Sequence, residues 1–107
     1  MYGKILRVDL TNSKIDEDPI PDEWKRMYLG GEGINDRLLW EHFVKVDPHL
    51  DSLSPDSVLI CGIGPLGATG VLGAGTKTKW TFKSPIYYGF GDSVSGGFWG
   101  CQFGKLR

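Results

Sequence analysis

Cysteine and histidine are scarce in this sequence, which has only Cys61, Cys101, His42 and His49 in 107 residues. A sulfur-ligated metal or cluster needs three or four ligands near one another, so no metal site is expected here. The cysteines are not in C-x-x-C spacing, and the pattern fits a cytoplasmic chain with reduced thiols. Both histidines are expected at the surface. Long apolar runs are missing as well: none approaches the roughly 18 residues that read as a membrane span. No charged-then-apolar leader opens the chain. An excess of one charge is also lacking, with 12 Lys and Arg against 13 Asp and Glu, a net of −1. That removes the electrostatic case for nucleic-acid or anionic-membrane partners, which needs a basic face.

Glycine and tryptophan are present in excess. Glycine supplies 16 residues, about twice the average usage, and is concentrated between Gly62 and Gly100. The four tryptophans, Trp24, Trp40, Trp80 and Trp99, are dense for the length. Bare backbone beside large flat rings suggests a surface shaped around something, or equally a tight core with glycine at its contacts. A chain of this size supports one domain, expected over 1–107, and buries roughly 65% of its unfolded surface.

Residues 2–10 alternate Leu6, Val8 and Leu10 against Lys4, Arg7 and Asp9 and predict a strand. Thr11-Asn12-Ser13 predicts a turn, and a second strand through Ile15 closes a hairpin by Pro19. Pro21-Asp22-Glu23 opens a helix, with proline in its first turn and two acids facing the positive end of the dipole. Trp24, Met27 and Tyr28 form its apolar stripe, and Gly30-Gly31 stops it. Ile34, Leu38, Leu39, Trp40 and Phe43 predict a second helix over 33–43. A short buried strand follows at 58–61, then a glycine loop over 62–75 with no helical pattern. Thr76, Thr78, Trp80 and Phe82 alternate with Lys77, Lys79 and Thr81, the clearest strand in the chain. Ser84-Pro85 breaks it, and a further strand is expected over 86–90. From Ser95 a glycine-opened segment can start a helix, though one too close to the end to bury a face. The fold class is therefore α+β, mainly antiparallel sheet with two short helices.

Gly62-Ile63-Gly64-Pro65-Leu66-Gly67 spells G-x-G-x-x-G after a strand, the phosphate turn of dinucleotide-binding folds. That fingerprint needs a helix next and an acid about 20 residues on. Instead Gly70, Gly73 and Gly75 follow, each costing a helix about 1 kcal/mol, and the position of the acid holds Phe82 and Lys83. The motif is a decoy. Ser93 and Ser95 lack the nucleophile elbow of a serine hydrolase and are expected to be turn hydroxyls.

A set of short motifs carries a more specific message. Met1 to Thr11 reads MYGKILRVDLT. It is followed by Tyr28-Leu29-Gly30-Gly31-Glu32-Gly33, Leu53-Ser54-Pro55 with Val58-Leu59-Ile60, Gly64-Pro65-Leu66, Lys83-Ser84-Pro85, and Ser95-Gly96-Gly97-Phe98-Trp99-Gly100. In order and spacing these resemble the N-terminal part of the tungsten-dependent aldehyde ferredoxin oxidoreductases, along essentially the whole chain. The resemblance implies an enzyme that oxidises aldehydes to carboxylic acids on a tungsten (or molybdenum) bis-pterin, passing electrons through a [4Fe–4S] cluster to ferredoxin. It implies that this chain is the first portion of a pseudo-two-fold domain forming a base under the pterin. Cluster ligands and catalytic groups would come from other domains of the parent enzyme.

The resemblance places the family's pterin-binding arginine at Lys77, with Lys79 as the alternative register. Lysine balances phosphate charge without arginine's bidentate fork; a solvated, outward strand lysine is the plain alternative. The family's asparagine falls on Val94, leaving only a backbone contact there. Ser95 and Gly96 match directly, and with Gly97 they offer backbone N–H groups without a Cβ in the way. No catalytic residue is expected in this segment, which by itself is expected to be inactive, to hold no cofactor tightly, and to pair with itself through an uncovered apolar face. Two other roles remain open: a stand-alone pterin-binding or assembly module without catalysis, and a subunit of a related tungsten enzyme acting on an aromatic acyl-coenzyme A.

Overall fold

The computed structural model describes residues 3–71, 75–86 and 88–105, so the expectations for Tyr2, Tyr87 and loop residues 72–74 lie outside the described residues. The first hairpin forms as expected: β1 (Lys4–Asp9) pairs antiparallel with β2 (Lys14–Pro19), from Lys4 opposite Pro19 to Asp9 opposite Lys14. Asp9 builds the turn, its carboxylate accepting from the Thr11 and Asn12 amides at 2.9 and 3.1 Å and from the Asn12 side chain at 2.8 Å. These hydrogen bonds, that of the Asn12 side chain above all, hold the Asp9 carboxyl below its usual range. Lys4–Glu17 and Arg7–Asp18 pair across the strands, each exposed and worth at most about 1 kcal/mol.

Helix α1 (Asp22–Tyr28) starts after Pro21 with both acids in its first turn, but buries none of its residues. Its Trp24 lies under the Arg37 guanidinium at 5.2 Å and meets Tyr28 edge-on, which ties α1 to the next helix. Helix α2 (Glu32–Lys45) is longer than the expected 33–43 and buries Ile34, Asn35, Leu39 and Phe43. Trp40, expected in the same stripe, is mostly exposed. Leu39, Phe43 and Leu50 form the buried core, with Val58 and Ile60 packed against it. His49 is exposed as expected, whereas His42 is half-buried and its Nε2 donates to the Asp56 carbonyl at 2.8 Å.

The second sheet is antiparallel, in the order β3 (Leu59–Ile63), β4 (Thr78–Lys83), β5 (Phe90–Ser95). Here the sequence reading needs two corrections. Of the expected strand over 86–90, Ile86, Tyr88 and Gly89 lie instead in the turn between β4 and β5, and only Phe90 is in a strand, as the first residue of β5. The Ser84 amide donates to the Gly89 carbonyl at 2.8 Å, and the Ser84 hydroxyl accepts from the Ile86 amide at 3.1 Å. Ile86 and Tyr88 are both exposed. The actual strand, FGDSVS, has too few apolar residues to show a period of two. The second correction concerns the C-terminal segment, where a third helix, α3 (Phe98–Gly104), does bury a face, made of Gly100 and Gly104.

Among the described residues the fold is therefore α+β, with two antiparallel sheets and three helices. Helix α2 packs on one face of the three-stranded sheet through β3 and β4, and α3 contacts β3 from the other side. Among the described residues no helix is long and apolar enough to cross a membrane. Leu10, Leu53, Ile86, Tyr88 and Phe98 are each more than three-quarters exposed.

Candidate functional site

The glycine loop that mimics a nucleotide motif is occupied by contacts within the chain. A Cβ on Gly62 would lie 2.3 Å from the Asn35 Oδ1, and the Gly31 amide donates to the Ile63 carbonyl at 3.0 Å. Gly31, at φ +54, is where α2 begins, so the two glycine stretches pack backbone to backbone. The Gly67 amide donates to the Gly64 carbonyl at 3.0 Å and closes a tight turn.

The candidate cofactor contacts lie at the end of the β4–β5 ladder. Thr78 is opposite Ser95 in register, and beyond them the two segments run on side by side. Lys77 is exposed, and its Nζ sits 3.4 Å from the point where a Cβ on Gly96 would be. One step further, the Gly97 amide donates to the Thr76 Oγ1 at 3.1 Å. Ser95 Oγ accepts from the Trp80 Nε1 at 3.1 Å. The structure thus brings Lys77, Ser95, Gly96 and Gly97 together. Val94, one residue earlier and opposite Lys79, turns its side chain to the face of the sheet opposite that of Ser95.

Lys79, the alternative to Lys77, is committed elsewhere. Its Nζ bonds the Asp92 carboxylate and lies 3.2 Å from Glu32. The hydrogen bond to Asp92, then that to Glu32, raises the Lys79 pKa above the usual lysine value. Lys77 has no carboxylate partner among the described residues. The expectation of an outward strand lysine therefore holds for exposure, but Lys77 precedes β4 and leans over Gly96.

Next to this ion cluster, burial and then the charge of Glu32 push the Asp36 carboxyl above its usual range. The folded chain then holds this proton more tightly than the unfolded one, so the group withdraws stability as pH rises through the carboxylate range. Asp36→Asn is expected to raise the melting temperature at pH 7, with the gain disappearing below about pH 4, the ordinary aspartate value. A scan of melting temperature against pH checks this, and a neutral-pH loss contradicts it.

On the α3 side, Trp80, Trp99 and Phe103 stack with ring centroids 6.5 and 6.1 Å apart and planes 15° from parallel. Cys61 sits beside them. Burial pushes its thiol up, and a hydrogen bond with Trp99 pulls the other way. Among the described residues no group of three or more His, Cys, Asp or Glu is arranged to hold a metal ion.

Sequence reasoning missed three residues here. Asn35 is buried, its Nδ2 donating to the Lys79 carbonyl at 3.2 Å and to Thr81 Oγ1 at 3.3 Å; its signal was an amide four residues before Leu39 on the apolar stripe. Buried Lys83 donates from Nζ to the Pro48 carbonyl at 3.2 Å and to the Leu50 carbonyl, over the Phe43 ring. Thr76 was read only as a strand residue.

Comparison with known proteins places these features in context. The family model described as aldehyde ferredoxin oxidoreductase, N-terminal domain, matches residues 5–107. A tungsten-containing aldehyde ferredoxin oxidoreductase of Pyrococcus abyssi is 35% identical over 101 residues, 94% of this chain and 16% of the relative. The WOR-like subunit of an aliphatic sulfonate oxidoreductase of Pyrococcus furiosus is 34% identical over 92 residues, 86% of this chain and 14% of the relative. Among solved structures, the active site complex BamBC of benzoyl coenzyme A reductase, in complex with 1,5 dienoyl-CoA, matches with a TM-score of 0.84 at 33% identity. That match covers 94% of this chain and 15% of the other. The chain thus spans about a sixth of the length of these relatives.

Proposed function

The chain belongs to the aldehyde ferredoxin oxidoreductase family, matching its N-terminal domain, and on that footing we propose that it forms part of the base under a tungsten-pterin cofactor in an enzyme oxidising aldehydes to carboxylic acids. The observation that carries this reading is Lys77 leaning over Gly96 while Lys79 is neutralised by Glu32 and Asp92. A cation with no carboxylate partner among the described residues, beside backbone with no Cβ, suits an anionic phosphate ester, such as the one a pterin cofactor carries. The residues present therefore fit the group. Lys77 would meet its charge, Gly96 would let its edge approach the backbone, and Ser95 would stay turned to Trp80. The Gly97 amide, already given to Thr76, would fix geometry and leave ligand donation to its neighbours.

When bound, the cofactor supplies two-electron chemistry at its metal. This segment would supply position and charge, while catalytic groups, a [4Fe–4S] cluster and the docking of ferredoxin belong to the rest of the parent enzyme. The exposed apolar side chains support such neighbours, since large uncovered apolar surface marks an interface. Aldehyde is the substrate class proposed because the Pyrococcus abyssi relative carries that name. The benzoyl coenzyme A reductase match is of similar identity, and a shared fold does not fix a reaction.

The charge at residue 77 provides the test. Lys77→Met is expected to weaken binding of inorganic phosphate by about tenfold or more, the worth of one hydrogen bond to a charged group. Lys77→Arg should keep it. Amide shifts at residues 95–97 during titration report the affinity, and equal binding by Lys77→Met would overturn the assignment.

A further inference from the structure

The place of Lys77 is set by the residue before it. Thr76 Oγ1 accepts the Gly97 amide at 3.1 Å, and this bond joins the two segments just past the last pair of the β4–β5 ladder. Beside it, a Cβ on Gly100 would lie only 2.2 Å from the Thr76 carbonyl oxygen and 2.9 Å from the Thr78 hydroxyl. Helix α3 therefore rests directly on the loop at Thr76. Gly97 makes its turn at φ +97, a conformation side chains rarely adopt. The Thr78 hydroxyl, fully buried against the same helix, has no hydrogen-bond partner among the described residues. It does not take over the tie to Gly97, and the neighbouring Thr76 hydroxyl carries it alone.

From this geometry we infer that Thr76 is a positioning residue, whose hydroxyl, bonded to the Gly97 amide, holds the Lys77 ammonium over Gly96 as an anion seat. The inference rests on the cofactor reading for what the seat receives, but the hold on Lys77 is a property of this chain. A β-branched side chain has few χ1 choices, so the hydroxyl that fixes Gly97 also fixes the direction in which the chain leaves residue 76. Lys77 is the next residue, and Gly96, facing it, leaves room for its ammonium.

Nuclear magnetic resonance on the full 107-residue chain tests this with Thr76→Val, which keeps the shape and removes the acceptor, and Thr76→Ser, which keeps the acceptor. In Thr76→Val, exchange of the Gly97 amide should accelerate about tenfold, and the contact between the Lys77 ε-methylene and the Gly96 α-protons should vanish. Amides of β3 and β4 should keep their protection, and Thr76→Ser should restore wild-type behaviour. Unchanged exchange with the Lys77–Gly96 contact retained in Thr76→Val would overturn the inference. Titration with inorganic phosphate then separates the two claims. Weakened binding by Thr76→Val, rescued in Thr76→Ser, supports the seat. Equal binding by all three, despite a lost contact, overturns the role of Thr76. Absence of binding by the wild type overturns the cofactor reading, while the exchange and contact data still decide the hold on Lys77.

Discussion

Leu39→Ala is expected to destabilise the chain by about 2–5 kcal/mol, the range for emptying a buried leucine site. Leu39 is completely buried, in a core cluster whose other buried members are Phe43 and Leu50. Domains of this size hold only about 5–15 kcal/mol in total, and one with so small a core belongs near the lower bound. Urea unfolding should show the midpoint falling by roughly half or more, with the slope unchanged. Val44→Ala, on the exposed side of the same helix, should stay within about 0.5 kcal/mol. Equal effects from the two substitutions would show that α2 is not the centre of the core.

Gly100→Ala should be the most damaging of the glycine substitutions. Alanine in a helix gains about 1 kcal/mol over glycine from propensity, so the local effect favours the change. Against it stands a methyl group placed 2.2 Å from the backbone carbonyl oxygen of Thr76. Backbone cannot swing aside as a side-chain tip does, and overpacking costs of about 1–3 kcal/mol or more outweigh the propensity gain. The expected result is a net loss of stability together with faster amide exchange across α3 and at residues 95–97. Gly64→Ala is the control: nothing lies within 4 Å of its added Cβ, and a compatible glycine replacement stabilises by about 0.4–1 kcal/mol. A stable Gly100→Ala with α3 still protected would mean that the helix does not rest on the Thr76 loop.

The elements most legible in the sequence were those whose local chemistry and burial agree. The first hairpin announced itself through the turn residues Thr11-Asn12-Ser13, and both leading helices through Pro21, the paired acids and the apolar spacing of α2. β4 was visible as an alternation, but which face is buried was not. With α2 on one side and α3 near the other, Thr81 and Lys83 are as enclosed as any apolar residue. A period of two gives direction and says nothing about cover. β5 was misplaced because Ile86 and Tyr88 carry apolarity into an exposed turn, while Gly91, Asp92 and Ser93 carry polarity into the strand. α3 was under-read because its packing face is glycine, which contributes close approach without apolar signal.

The candidate site shows the same division. Lys77, Ser95, Gly96 and Gly97 followed from motif order, and their proximity follows from the β4–β5 register. The choice between Lys77 and Lys79 needed the positions of Glu32 and Asp92, one on α2 and the other across the sheet. Thr76 carried no sequence signal, since its role depends on an amide 21 positions away.

On the reading proposed above, the mouth of the β4–β5 ladder is the surface this chain offers to an anionic pterin cofactor. Amide and lysine-ammonium resonances of the isotope-labelled chain, followed as the pterin cofactor is added, test it directly. Weak, fast-exchanging shifts are expected, confined to residues 76–78 and 94–97 and to the Lys77 ammonium, with none at the Lys79 ammonium. Shifts confined to the open trough formed by Leu53, Val58, Leu59 and Phe82, or no shift at saturating cofactor, would contradict it.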